Sequence, residues 1–124
     1  MLQNASSLSK IKLPGRLRSI PDHTFRNAVK LENFQIGSSV TKIGNSAFQG
    51  CKKLQRLILP GQVQTIGKRT FYQCKKLKKV TIRTVQLRKI GKEAFKGCAS
   101  KIQFAVPKGK QTVYAKLLKG KYGK

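Results

Sequence analysis

Four phenylalanines, Phe25, Phe48, Phe71 and Phe95, stand 23, 23 and 24 residues apart. The pairs Ile43-Gly44, Ile66-Gly67 and Ile90-Gly91 keep the same offsets, as do Cys51, Cys74 and Cys98, with Ala28 at the equivalent place in the first unit. A unit this short cannot enclose its own apolar face, so it must bury that face against copies of itself. The chain is therefore a stack of coils: 8–30, 31–53, 54–76 and 77–100, preceded by a partial coil over 1–7 and followed by a cap over 101–124, all one domain of 124 residues.

Each unit opens with apolar residues at its first, fourth and sixth places, as in Leu31-Glu32-Asn33-Phe34-Gln35-Ile36 and Leu54-Gln55-Arg56-Leu57-Ile58-Leu59. Alternation at the last two of these predicts a strand, and stacking predicts a parallel sheet with strands ~4.8 Å apart. Pro14 and Pro60 punctuate two units. A second apolar pair, such as Val40/Ile43 or Val63/Ile66, predicts a shorter second strand. The glycine after it answers to a positive φ or to close backbone approach, and Pro21 in the first unit predicts a different turn there. Ser46-Ala47-Phe48-Gln49-Gly50-Cys51 reads as a single helical turn, with Phe and Cys on one side. The phenylalanines are expected to form one interior ladder and the cysteines another. The extra residue of the fourth unit, around Arg83-Thr84-Val85-Gln86, is expected as a surface loop or bulge.

The pattern Leu54-x-x-Leu57-x-Leu59-Pro60-x-x-Val63-x-x-Ile66-Gly67-x-x-x-Phe71-x-x-Cys74 resembles the BspA-type leucine-rich repeat, over residues 8 to about 106 and partially over 1–7. The first unit departs from it at Pro21 and Ala28, and the second carries Gly37 where the family has proline. The resemblance implies a right-handed α/β repeat solenoid with a principal parallel sheet and short second strands. It also implies a setting in bacterial or protist surface or secreted proteins, a role in adhesion, and no enzymatic activity of the repeat itself.

At the ends, Leu2-Gln3-Asn4-Ala5-Ser6-Ser7-Leu8 aligns with Phe48-Gln49-Gly50-Cys51-Lys52-Lys53-Leu54, so the chain opens inside the turn of a preceding coil and is expected to be a C-terminal fragment of a longer array or a short gene starting within a repeat. No signal peptide and no apolar run near the ~18 residues of a membrane span are present in this sequence. Ile102, Phe104 and Val106 predict a last strand. Gln111–Lys119 predicts a short capping helix burying Val113, Tyr114, Leu117 and Leu118, rather than a basic membrane-surface helix. The closing residues, 119–124, are expected to fray.

Charge bounds the partners. Twenty-eight Lys and Arg face three acids, Asp22, Glu32 and Glu93, for a net +25. Residues 1–62 carry +8 and residues 63–124 carry +17. Such a surface attracts anionic macromolecules: an acidic glycan, a cell envelope, an acidic protein, or nucleic acid held non-specifically. The repeat places Lys30, Lys52, Lys53, Lys75, Lys76 and Lys78 in a ridge at one coil end. Lys10, Lys12, Arg56 and Lys79 fall on the outer face of the principal sheet, and Arg18, Lys42, Arg88 and Lys89 on the second strands. These residues of the ridge and principal sheet are the candidate contacts. An intracellular nucleic-acid-associated protein and a spacer without ligand remain as alternatives.

Catalytic, cofactor and metal chemistry find no constellation. His23 is the one histidine and sits beside Asp22 in a turn. Three acids in separate units cannot supply a triad or a paired-carboxylate site. Gly61 to Gly67-Lys68-Arg69-Thr70 lacks the spacing and the hydroxyl of a phosphate loop. The cysteines align because the coils stack. Side chains pointing the same way and an odd count favour free thiols over a bridge or a metal site. Asn4-Ala5-Ser6 matches a glycosylation sequon.

Overall fold

The computed structural model describes residues 10–11 and 16–123, with the side chains of Lys10, Ile11 and Asn33 left aside. The partial coil 1–7, the Asn4 sequon, Lys12, Pro14 and Lys124 lie outside the described residues. The principal strands are β1 (Lys10–Ile11), β3 (Asn33–Phe34), β5 (Arg56–Leu59), β7 (Lys79–Ile82) and β10 (Gln103–Ala105). They pair in parallel as β1 with β3 and as β5, β7 and β10 in sequence, with Leu57, Val80 and Phe104 in register. In β5 and β7 burial alternates, so Arg56 and Lys79 face outward while Leu57, Leu59, Val80 and Ile82 face the core. The leucines that open the units, Leu31, Leu54 and Leu77, are fully buried.

The second strands form a continuous four-stranded parallel ladder: β2 (Ser19–Ile20), β4 (Lys42–Ile43), β6 (Thr65–Ile66) and β8 (Lys89–Ile90). Ile20, Ile43, Ile66 and Ile90 stand in one register and point inward.

The expected single helical turn is not a helix. In 46–51 the amide hydrogens alternate between two kinds of acceptor. Gln49 N and Cys51 N donate to the carbonyls three residues back (3.2 Å each), whereas Ser46 N, Phe48 N and Gly50 N donate to Lys68, Thr70 and Tyr72 of the next coil (2.8–2.9 Å). Two left-handed residues per coil impose this: His23 and Asn27, Ser46 and Gly50, Arg69 and Gln73, Glu93 and Gly97, with φ between 55° and 79°. They turn every second N–H out of the coil, at a cost of about 1–2 kcal/mol per non-glycine residue. The rung to the neighbouring coil offsets that cost by satisfying buried backbone that a one-turn helix would leave open. From β5 onward each coil is thus joined to the next by three backbone ladders: the principal strands, the second strands and these turns.

The glycines after the second strands answer to close approach, with no positive φ at Gly44, Gly67 or Gly91. A Cβ on Gly67 would meet Asn45 Oδ1, Asn45 N and Gly44 C at 2.5–2.8 Å. Pro21 does not alter its turn as expected. Thr24 N donates to Pro21 O at 3.4 Å just as Ala47 N does to Gly44 O, because this turn needs no positive φ.

The C-terminal end differs from expectation in three respects. The helix α1 (Gln111–Leu118) buries Tyr114 and Leu118 and half-buries Leu117, but Val113 stays 51% exposed. Residues 114 and 118 are one turn apart and define the packed stripe, leaving 113 at its margin. The residues after α1 do not fray through position 123. They form β11 (Tyr122–Gly123), paired in parallel with β9 (Phe95–Lys96), and Phe95 N and Gly97 N donate to Lys121 O (2.7 Å) and Gly123 O (2.8 Å). The tail supplies the carbonyls that the next coil supplies everywhere else. The inserted residue of the fourth unit is not a plain surface loop either, since Thr84 is fully buried there.

Candidate functional site

The interior is built as columns of like side chains. Phe25, Phe48, Phe71 and Phe95 are fully buried, with successive ring centroids 5.2 Å apart. In the last two steps the rings stack nearly parallel, at 6° between ring planes. Phe34 tilts against Phe25 and Phe48, and Phe104 meets Phe95 edge-on at 5.2 Å, so aromatic contact runs the length of the described core.

The cysteines make a second column. Cys51, Cys74 and Cys98 thiols donate to the carbonyls of Phe25, Phe48 and Phe71 in the preceding coil, at 3.3, 3.1 and 3.3 Å. Burial pushes the Cys74 thiol well above its ordinary range and the Cys98 thiol up to about 12. The reactive species of a cysteine is the thiolate, so these two thiols are protonated at neutral pH and act as small, hydrogen-bonded core groups.

A polar column follows the turns. Asp22 Oδ1 accepts from Asn45 N at 2.7 Å, and Asn45 Oδ1 accepts from Lys68 N at 2.8 Å. Beside it, Thr70 Oγ donates to the carbonyls of Gly67 (2.8 Å) and Gly44 (3.0 Å), tying two coils together. The equivalence of Asp22 and Asn45, each two residues past the end of a second strand, is the sequence signal for this column, and it is visible once the units are aligned.

The charged surface follows the same rule of columns. Lys30, Lys52, Lys53, Lys75, Lys76 and Lys78 are all exposed at the coil edge before the principal strands. Arg56 and Lys79 are exposed on the sheet and paired in register. The backbone of Lys10 pairs with Asn33, while Lys12 lies outside the described residues. On the second sheet Arg18, Lys42, Arg88 and Lys89 are exposed as well.

The acids are already engaged. Glu32 meets Lys53 at 3.7 Å, and Glu93 meets Arg69 at 2.8 Å and Lys96 at 3.4 Å. The Arg69 guanidinium holds the Glu93 carboxyl below the usual carboxylate range and is itself raised by that carboxylate. Asp22 serves the turn column. Among the described residues ion pairs therefore engage Lys53, Arg69 and Lys96, and the rows at 30, 52, 75, 76 and 78 face solvent without an acid.

His23 lies in a turn with φ 62°, its backbone N–H donating to Asn45 O at 2.9 Å. Among the described residues no three His, Cys, Asp or Glu converge on a metal-sized site, and no helix is long and apolar enough to cross a membrane.

The lock between α1 and the insertion has no signature in the repeat pattern. The Tyr114 hydroxyl donates to Thr84 O at 2.8 Å and accepts from Leu87 N at 3.2 Å, while Thr84 Oγ donates to Val63 O at 2.7 Å. The extra residue of the fourth unit is where the cap is keyed.

Solved structures place this architecture among known proteins. A leucine-rich repeat protein from Bacteroides ovatus is similar over 86% of this chain and 32% of its own, with 29% identity and a TM-score of 0.75. The pneumococcal vaccine antigen PcpA is similar over 97% of this chain and 35% of its own, with 25% identity and a TM-score of 0.69. This chain thus spans about a third of the length of each. No curated protein sequence matches it. The BspA type leucine rich repeat region matches residues 1–122 in six copies. The parallel ladders, the stacked phenylalanines and this match together place the chain in the BspA-type leucine-rich-repeat family, to which it belongs.

Proposed function

We propose that this chain is a non-catalytic binding module of a cell-surface or secreted protein, and that it holds an anionic macromolecule on its basic rows. One observation carries the reading: the lysine columns 30/53/76 and 52/75, with Lys78, Arg56 and Lys79 beside them, are exposed at one coil spacing, and of the chain's three acids only Glu32 reaches these columns, at Lys53, while Asp22 and Glu93 are engaged elsewhere. Like charges about 5 Å apart repel by roughly 0.8 kcal/mol per pair even in water. An anion lying across the coils removes that repulsion and releases counterions as it binds. The similarity to a vaccine antigen supports a surface setting, and an acidic glycan or acidic protein of a neighbouring cell is the partner class that fits it. The buried thiols and the engaged acids support the non-catalytic part of the reading.

The test is retention on heparin, on duplex DNA and on a neutral resin across a salt gradient, for the parent chain and for a variant with Lys52, Lys53, Lys75 and Lys76 replaced by glutamine. Heparin retention should exceed neutral-resin retention and elute earlier in the variant, with the salt slope falling by up to about four units, one per lost contact. No retention on either polyanion at low salt would sink the proposal. Tighter retention on DNA than on heparin would favour the nucleic-acid reading.

A further inference from the structure

The three backbone ladders of the last coil do not end alike. β9 is closed by β11, and β8 is covered by α1. β10 ends the principal sheet, and among the described residues no strand pairs with its outer edge. Gln103 N donates inward to Lys78 O at 2.8 Å. Because hydrogen-bonding direction alternates along a strand, the N–H and C=O of Phe104 face the open edge.

The side chains beneath that edge are also uncovered. Phe104 stands in register with Val80 and Leu57, which are buried to within 1% exposure, yet Phe104 is only partly buried. Its ring lies 5.3 Å from Tyr122, which is 48% exposed and in register with Phe95 of the interior ladder. Phe104 and Tyr122 thus continue the core onto a surface that one more apolar side chain would cover. An unpaired strand edge above an apolar shelf is the geometry of strand addition.

Charge selects what adds. Residues 94–124 hold eight lysines and no acid, and Lys101 and Lys108 are exposed on either side of β10. A second copy of this chain would bring its own +25. We propose that β10 is a docking edge for an extended acidic segment of a partner protein, paired through backbone hydrogen bonds and seating one apolar side chain on Phe104 and Tyr122. The proposal makes no use of the rows at 52, 53, 75 and 76, so it stands or falls separately from them.

The probe is a labelled, end-capped eight-residue peptide of alternating Glu and Val, titrated against the whole chain by fluorescence anisotropy. Two control peptides carry N-methyl groups on every second residue, one in each frame, at unchanged charge. At least one control should bind about tenfold more weakly than the parent peptide, the loss of one or two hydrogen bonds. The exposed substitution Tyr122→Ser should weaken the parent peptide several-fold, and the glutamine variant of the rows should bind it nearly as the parent chain does. Equal affinity for methylated and unmethylated peptides would overturn the proposal, as would loss of binding in the row variant with none in Tyr122→Ser. Sedimentation of the chain alone at the same salt should give a monomer. A concentration-dependent dimer abolished by Tyr122→Ser would put a second copy on this edge instead.

Discussion

At Gly67 the side chain is a hydrogen because the coil below leaves no room for a carbon. Asn45 and Gly44 backbone would lie within 2.8 Å of a Cβ, and backbone held in a ladder cannot swing aside. Gly67→Ala should therefore lower stability by about 1–3 kcal/mol, the usual cost of overpacking a rigid site. Gly61 is the internal control: a Cβ there meets nothing within 4 Å, so Gly61→Ala should be neutral or stabilising by up to about 1 kcal/mol through the unfolded state. Thermal and urea unfolding of the two variants side by side checks the pair, and an equal loss in both would remove the argument from contact. The sequence offered two reasons for a glycine at 67, conformational freedom and close approach, and could not separate them. Recurrence at one repeat offset fixes that a position matters but carries no φ. The same limit hid the left-handed residues: Ser46, Arg69 and Glu93 share an offset and a conformation but no chemistry, so nothing in their side chains announced a ladder in place of a helical turn.

The cap depends on a single phenol. Tyr114, on α1, is 1% exposed and its hydroxyl both donates to Thr84 O and accepts from Leu87 N. Tyr114→Phe keeps the ring and removes both bonds, leaving a buried carbonyl and a buried N–H without partners. The expected loss is about 1–3 kcal/mol. Because α1 covers β8 and leads directly into β11, amide exchange should accelerate at Phe95 and Gly97, whose N–H groups depend on the tail, more than at Phe48 in the middle of the stack. A uniform acceleration would mean that the cap and the coils unfold as one unit. The strands and their register were legible because apolar period two and a fixed repeat leave one way to stack. The cap was legible as a helix, through its 3.6-residue apolar pattern, but its keying was not. Thr84 lies in the stretch 83–86 that carries its coil's one extra residue, and insertion normally signals a loop. Its burial arises from contact with a residue thirty positions later, which no local pattern encodes. The tail was missed for a related reason: glycine and lysine have low strand propensity, and at Lys121–Gly123 the ladder of β9 uses their carbonyls and needs nothing from their side chains.

Across the whole molecule, one salt axis should move two properties in opposite directions. The chain carries +25, and its cationic columns repeat at the coil spacing. Those charges repel within the folded state more than in the expanded unfolded chain, so screening favours folding. They also attract any polyanion, so screening weakens binding. Raising NaCl from about 0.02 M to about 0.5 M shortens the Debye length from roughly 20 Å to roughly 4 Å, from several coils to less than one. The melting temperature should rise over that range while heparin affinity falls. Replacing Lys52, Lys53, Lys75 and Lys76 by glutamine should flatten both dependences, because the same stacked charges generate both. A melting temperature that rises with salt equally in parent and variant would mean that the repulsion resides elsewhere, in the eight lysines after residue 94, and that the columns before the principal strands are ordinary solvated flanks. A flattened melting curve with unchanged heparin affinity would separate strain from recognition and move the binding surface off the columns. Only when both slopes flatten together does the repulsion stored in the stack become the energy that a bound anion relieves.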